Sequence, residues 1–506
     1  MLSGAKNALD ANKYLEEQSR FIMERASRYD KLYLEVGGKL IDDLHAMRVL
    51  PGFRPDIKMD LFAKIKDQCE VLICIYSGDI ERNKIRGDYG INYENEVFRL
   101  IDEFRTRGLL VKSVVITRYN EQSAVKTFIN KLEHRGLRAY THQATKGYPT
   151  DVDTICSKDG YGKNTFIETE KPIVIVTAPG PNSGKLATCL SQLYHENERG
   201  NRAGYSKFET FPIWNLPLKH PVNVAYEAAT ADLMDVNMID PFHLEYFGQS
   251  AVNYNRDVEA YPLLKRILSR VCNEESIYHS PTEMGVNRAG CAIVDDELCR
   301  EAANQEIIRR YFKAQTDFKL GLASEKTVTR CKLLMEEMQL SIDMRKTVAA
   351  ARTYAKEVKN RLKTEDPIST AAIELADGRI ITGRGSENMT AISAMLLNAI
   401  KALSGIDDKL HLLSPVILEP LVNMKGRTLG LKDLPLDSKE VLIALAMSAS
   451  TNTTSALAME ALKDLKTCQA HSTVLVNKND NFILGRLGID ISSDPIFPNE
   501  RLFSDY

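Results

Sequence analysis

Alternation of short β-rich runs with stretches of helical periodicity restricts the fold of this chain more than any other feature. Lys31 to Val36, Val71 to Tyr76, Ser113 to Thr117, Arg138 to His142 and Ile173 to Thr177 are the β-rich runs. Between several of them the period changes. Tyr93 to Arg107 carries Val97, Leu100, Ile101 and Phe104 on one helical face, and Glu121 to Arg135 does the same with Val125, Phe128, Ile129 and Leu132. A strand, helix, strand rhythm predicts an α/β fold, a parallel sheet with helices packed on its faces. Ligands of such sheets bind beyond the carboxyl ends of the strands. Those ends carry Ser77-Gly78-Asp79, Arg118, His142 and the turn ending in Gly184-Lys185.

At 506 residues the chain is too long for a single hydrophobic core, which stops growing at about 250 to 300 residues. Breaks in the pattern divide it into segments 1–207, 208–294, 295–365 and 366–506. Pro212, Pro217, Pro221, Pro241, Pro262 and Pro281 interrupt the second segment, which reads as a loop-rich insert or small subdomain. Asp295 to about Lys363 has few breakers and reads as a helical hairpin arm, one helix opened by Asp295, Asp296 and Glu297 and another after Gly321 or Ser324. Such an arm suits subunit contact, so a homo-oligomer is expected, although an intramolecular brace would use the same helices. Asp366-Pro367 punctuates the entry to a C-terminal α/β domain. There two β-runs flank Asp377-Gly378, and Met389 to Leu403 carries the core-facing stripe Ile392, Met395, Leu396, Ile400. Val441 to Ser448 and Ser455 to Leu465 read as helices, and His471 to Val476 and Asn481 to Leu487 as closing strands.

The 66 Lys and Arg against 68 Asp and Glu leave a net charge of -2 and no field to draw in nucleic acid. The N-terminus lacks an apolar secretory core, and runs such as Val441 to Met447 are far too short to span a bilayer. The expectation is a cytoplasmic protein without membrane contact. Nine cysteines without a Cys-x-x-Cys pair predict buried thiols rather than a disulfide scaffold. The histidines are scattered, so no metal ligand is assigned, and only a Mg²⁺ held by carboxylates stays open.

The strongest chemical signal is the run Ile173 to Thr177 leading into Ala178-Pro179-Gly180-Pro181-Asn182-Ser183-Gly184-Lys185 and a helix from Leu186 to about Glu198. Gly180 and Gly184, with Asn182 and Ser183 between them, let backbone N–H groups converge on an anion. The helix N-terminus adds partial positive charge, and Lys185 neutralises terminal phosphates. This is a degenerate P-loop. Pro179 stands where its first glycine belongs, and Leu186 where a Ser or Thr would hold Mg²⁺. Thr188 lies about 200° around the helix from Leu186 and does not substitute. A nucleotide or other phosphorylated small molecule is the expected ligand, and ATP with Mg²⁺ the cofactor such a loop serves. The competing account is a tight strand-to-helix turn with a solvated lysine.

Around that loop, Asp79 could orient a metal-bound water or a ribose hydroxyl, Arg118 clamp a phosphate, His142 exchange a proton near neutral pH, and Lys163 fold over phosphates from the loop Asp159 to Asn164. Farther along, Asp235, Asp240 and His243 are candidates for acid–base or substrate roles. Thr282, Glu283 and Asn287 are candidates for ligand contact. Helix caps, turns and solvated loops account for these residues equally well. Asp295 and Asp296 superficially resemble the end of a metal-holding strand, but acidic residues at a helix start explain them better.

Four segments, IVIVTAPGPNSGKLATCLSQLYHE, DVNMIDPFHLEYFG, SPTEMGVNRAG and LEPLVNMKGRTLG, are together similar to the bacterial family called domain of unknown function 1846, over essentially the full length. The resemblance implies a bacterial cytoplasmic protein with a separate C-terminal domain, and it carries no activity over. Ala371 to Leu403 also resembles the opening of the cytidine-deaminase-like fold, by fold analogy alone. Leu396 and Asn398 stand where the zinc ligand and catalytic Glu would be, and Cys468 stands alone, so neither zinc nor deamination is expected. Two functions remain. One is an enzyme of phosphoryl transfer or ATP-dependent activation with Lys185 foremost, and the other a non-catalytic, oligomeric ligand-sensing protein.

Overall fold

The structure, a computed structural model, describes residues 7–86, 90–273, 278–363, 368–431 and 435–499. The Asp366-Pro367 boundary and the first six residues lie outside them. The chain forms two compact units that divide near Ala303, with Ala228–Leu233 belonging to the second.

The first unit is built on β1 (Lys31–Val36), β2 (Cys69–Tyr76), β3 (Leu110–Thr117), β4 (Arg138–Thr141), β5 (Ile173–Thr177) and β6 (Ala203–Phe208). They form a six-stranded sheet in the order β4-β3-β2-β5-β1-β6, with every pair parallel. Five strands coincide with runs read from the sequence. The sixth does not: Gly204 and Lys207 weaken its β signal, and it becomes a strand because it pairs with the whole of β1, from Lys31 opposite Ala203 to Val36 opposite Phe208.

Alternate strand residues face opposite layers. Leu34, Ile73, Ile75, Val114, Ile116 and Ile175 share one core with α1 (Ala11–Ala26), α2 (Tyr93–Thr106) and α3 (Ser123–Glu133). Tyr33, Leu72, Cys74, Val115, Val174 and Val176 share another with α4 (Lys185–Glu198) and the later helix Asn255–Cys272. The chain therefore leaves β2 toward one layer and its neighbour β5 toward the other. That arrangement opens a crevice between their carboxyl ends, a topological switch point.

The segment after β6 is more regular than its prolines suggest. It holds the hairpin-like pair β7 (Asn237–Ile239) and β8 (Val252–Tyr254), with α5 (Pro241–Phe247) between them and α6 (Asn255–Cys272) behind. Pro262 lies inside α6. A proline there costs about 3 kcal/mol, but Val258, Tyr261, Leu264, Ile267, Leu268 and Val271 are buried on the helix's inner face, at roughly 1.5 to 3 kcal/mol each. Burial outweighs the broken hydrogen bond.

The predicted two-helix arm contains three helices, α7 (Asp296–Lys319), α8 (Glu325–Glu337) and α9 (Lys346–Leu362). No glycine or proline marks the second break. Gln339 adopts a left-handed φ of 55°, and Arg345 turns its side chain into the C-terminal sheet. In that unit β9 (Thr370–Glu374), β10 (Ile380–Arg384), β11 (Gln469–Ser472) and β12 (Asp490–Ser493) are ordered β10-β9-β11-β12. Only the β11–β12 pair is parallel. α10 (Ala391–Leu403) packs so closely on β10 that a Cβ at Gly383 would stand 2.1 Å from the Met395 nitrogen.

The expected strand Asn481 to Leu487 is instead part of α11 (Lys478–Leu487). Asn477 caps its start by accepting from the Asp480 amide at 2.8 Å, and Gly488 ends it at a φ of 74°. Cap chemistry outranks the short apolar run. All nine cysteines are free thiols, six of them buried. Among the described residues no helix is long and apolar enough to cross a membrane.

Candidate functional site

The ends of β2, β3 and β5 are tied together around the turn before α4. Thr117 Oγ1, at the end of β3, donates to the Ser183 carbonyl at 2.7 Å. Arg118 donates to the Asn182 carbonyl while its guanidinium lies 3.5 Å from the centre of the Tyr76 ring, and Ser77 Oγ donates to the Arg118 carbonyl at 2.8 Å. Ser183 Oγ closes the turn onto the Gly180 carbonyl. Arg118, Asn182 and Gly184 all adopt left-handed φ, at 52°, 57° and 84°. One non-glycine residue in that region in each of two loops joined by the Arg118–Asn182 hydrogen bond marks a backbone held by its surroundings.

Close approach explains both glycines. A Cβ at Gly180 would stand 2.2 Å from the Tyr93 hydroxyl, and one at Gly184 would stand 2.8 Å from Thr117 Oγ1. Gly184→Ala is expected to cost about 1 to 2 kcal/mol from its left-handed backbone alone, with the Thr117 contact adding to it. Urea unfolding measures this, and an unchanged midpoint would show that the turn relaxes freely.

Lys185 opens α4 half-exposed, with no hydrogen bond or ion pair among the described residues. Its neighbours differ. Asp79 is buried and engaged by Arg82 and Lys84, the Lys84 ammonium also lying 4.8 Å from the Tyr93 ring centre. Thr188 is buried against β2, where Cys74 Sγ donates to its hydroxyl at 3.5 Å, and so faces the sheet rather than the crevice.

His142 and Lys163 make no hydrogen bond or ion pair with the turn before α4 among the described residues, although the His142 carbonyl accepts from the Tyr119 amide, next to Arg118, at 2.9 Å. The His142 ring is buried with Nε2 3.0 Å from the Thr165 carbonyl, and burial pushes its pKa down to about 4. The unfolded imidazole titrates near 6.5, so the unfolded chain takes up the proton first as pH falls between those values. Stability is therefore expected to drop by on the order of 2 to 3 kcal/mol between pH 7.5 and 4.5. Comparing denaturant unfolding of wild type and His142→Gln checks this, because the variant lacks that component of the slope. Lys163 is exposed on a turn whose Gly162 lies against Tyr194 and whose Asn164 carbonyl is 2.6 Å from His195 Nε2. His195 is ten residues from Lys185, about 15 Å along α4.

The remaining candidates gather beyond the carboxyl end of β6. An open cleft is lined there by Thr282 and Asn287 together with Lys207, Glu209, Trp214, Asn253 and Asp257. Asp240 is fully buried and caps α5 through the Phe242 and His243 amides, while its second oxygen accepts from the Thr282 amide at 3.1 Å and hydroxyl at 2.7 Å. It staples α5 to the wall of the cleft. His243 Nδ1 lies 2.9 Å from Ser280 Oγ, Asp235 pairs with Arg256 at 3.4 Å, and Glu283 accepts from the His279 amide at 2.7 Å. Asn287 donates to the Thr210 carbonyl at 2.6 Å.

Lys207, Glu209 and Asp257 escaped the sequence reading because β6 did. Once β6 is recognised, Lys207 and Glu209 stand at its carboxyl end, the ordinary place for a site. Lys207 Nζ lies 3.0 Å from Glu209 and 2.5 Å from Asp257. Burial raises the Glu209 carboxyl above its usual value despite Lys207. Burial acts the same way on Asp257, but there Lys207 and Arg256 outweigh it and hold the carboxyl below its usual value.

Two family models cover the chain: "Domain of unknown function DUF1846, N-terminal" matches residues 7–339 and "Domain of unknown function DUF1846, C-terminal" residues 343–503. The break between them falls in the turn from α8 to α9. The chain is 58% identical over 494 residues to the UPF0371 protein of Clostridium botulinum (strain Kyoto / Type A2), covering 98% of both chains. It is 57% identical over 498 residues to the UPF0371 protein of strain Eklund 17B / Type B, covering 98% of this chain and 99% of the relative. Matched by both models and similar to these relatives from end to end, the chain belongs to the DUF1846 family.

Proposed function

We propose that the protein binds a phosphorylated small molecule or a nucleotide in the crevice between β2 and β5, with a phosphate on the turn from Asn182 to Lys185. The observation that carries this reading is Lys185 itself. Its ammonium has no partner among the described residues, and it sits at the N-terminus of a fourteen-residue helix. There the free amides and the helix dipole favour an anion. Thr117 and Arg118 hold the preceding turn in place by its carbonyl oxygens, which leaves the amides at the head of α4 for a ligand.

The same residues do not fit Mg²⁺ in the manner of a P-loop. Leu186 offers no ligand atom, the Thr188 hydroxyl is turned to the sheet, and Asp79 is engaged by two cations. The reading is therefore anion recognition by backbone and Lys185, and metal-assisted phosphoryl transfer has less support. Thermal unfolding of wild type and Lys185→Ala is the test, against ATP, GTP, NAD, sugar phosphates and pyrophosphate, each with and without Mg²⁺. At about 100 times its Kd a ligand adds roughly 2.7 kcal/mol, so wild type should gain several degrees, the variant should not, and Mg²⁺ should matter little. No shift with any phosphate, or equal shifts in both proteins, sinks the proposal.

For the C-terminal unit, the order β10-β9-β11-β12 with β9 antiparallel to both neighbours supports the cytidine-deaminase-like analogy at the level of fold. The positions compared with zinc deaminases pack instead. Leu396 is core, Asn398 donates to the Thr382 carbonyl at 2.8 Å, and Cys468 is buried.

A further inference from the structure

We propose that the cleft beyond β6 is a second ligand site, for a neutral polyhydroxylated molecule such as a sugar or cyclitol, bound against Trp214 and hydrogen-bonded by Asp257, Asn253 and Thr282. It lies on the same edge of the sheet as the phosphate crevice but is built from different residues and has the opposite charge preference.

The wall and the floor differ in character. Trp214 and Phe211 supply aromatic surface, Pro212, Val252 and Pro281 further apolar surface, and Lys207 with carboxylates, amides and a hydroxyl the polar part. Trp214 is half-buried, its Nε1 donates to the Asn287 carbonyl at 3.2 Å, and its ring lies 6.1 Å from that of His243. The ring is thus positioned before any ligand arrives. A fixed aromatic face beside fixed acceptors suits a molecule with a C–H face and a rim of hydroxyls.

The charge balance excludes a phosphate here. Lys207 stands between Glu209 and Asp257, and Arg256 pairs with Asp235 and Asp257, three acids for two bases. An anion would meet carboxylates, and Lys207 is too fully engaged to greet it. Being anchored by Lys207, the carboxylates act as oriented acceptors for hydroxyl groups. Asn253 Nδ2 donates to Thr282 Oγ1 at 3.1 Å, and the Thr282 hydroxyl in turn donates to Asp240. That chain leaves the second amide hydrogen of Asn253 and a lone pair of Thr282 for a ligand. Behind this wall the Tyr254 hydroxyl, 1% exposed and within the field of Glu209, Asp235 and Asp257, has no hydrogen-bond partner among the described residues. Buried polar groups are seldom left so, and functional sites are where they occur.

Trp214 is the only tryptophan in the chain, so its fluorescence reports on this cleft alone. The full chain is titrated with glucose, galactose, ribose and myo-inositol, and separately with inorganic phosphate and spermidine. At least one polyol should change Trp214 emission saturably. Asn253→Ala should weaken that response about tenfold, the weight of one hydrogen bond, and Asp257→Asn at least as much. Should Asp257→Asn fail to fold, Asn253→Ala carries the test. Lys185→Ala should leave the response intact, which separates this site from the phosphate crevice. No response to any polyol, saturation by phosphate or spermidine alone, or an undiminished response in Asn253→Ala overturns the proposal.

Discussion

Arg345→Ala is expected to destabilise the C-terminal unit by about 3 to 5 kcal/mol, the scale of breaking a buried charged network by removing one partner. Its side chain is 1% exposed and spreads across two strands. Nε donates to Ser492 Oγ at 3.0 Å, Nη1 to Gln469 Oε1 at 2.9 Å, and Nη2 to the carbonyls of Ala470 at 3.2 Å and Asp490 at 2.6 Å. Alanine leaves those acceptors buried without this donor, and each such loss costs about 1 to 3 kcal/mol. Arg345→Lys should recover little, because a single ammonium cannot reproduce a planar fork aimed at several acceptors. Calorimetry on the full chain reads the change, and a loss below about 1 kcal/mol would mean that the β11–β12 pair holds without its clamp.

Lys58→Met should cost a similar amount at neutral pH. Lys58 is 1% exposed, and its Nζ donates to Asp43 Oδ2 at 2.7 Å and to the Lys39 carbonyl at 2.9 Å. Burial pushes the Asp43 carboxyl up, but Lys58 and the Ala46 amide outweigh it and hold it below the usual range. In wild type the pair's contribution is present above the unfolded carboxyl's pKa of about 3.9 and is lost as pH falls through the lower folded value. In the variant the sign reverses. Burial now acts unopposed by Lys58, the folded carboxyl titrates higher than the unfolded one, and the loss relative to wild type should shrink as pH is lowered from 7 to 5. Asp43→Asn added to Lys58→Met should restore part of the loss at pH 7. Denaturant midpoints of variant and wild type at both pH values measure this, and a deficit relative to wild type that widens at pH 5 would rule out an unneutralised Asp43 as the cause.

Parts of the fold were legible because their signals are local. The stripes of α2 and α3 show in a window of a few turns, the Asp377-Gly378 turn needs only its own backbone, and Gly180 and Gly184 stand in a strand-to-helix context that the structure preserves. The failures have two physical origins, tertiary pairing or burial and a local cap overlooked. β6 is weak by composition and is made a strand by β1, α6 keeps its proline because its buried face outweighs the broken hydrogen bond, and α11 is set by its caps at Asn477 and Gly488 over a run read as a strand.

The candidate sites divide along the same line. From the order of residues alone come the glycine turn, the lysine that ends it, the missing hydroxyl at Leu186 and the family, since each is written within a short span of chain. Tertiary structure alone decided that β2 and β5 lie side by side with their helices on opposite layers, which makes a crevice of that turn. It alone brought Lys207 to Asp257, fifty positions away, and Asn253 to Thr282. Charge and hydrogen-bond pairing act through space, and at such separations only the topology of the sheet determines which polar groups meet.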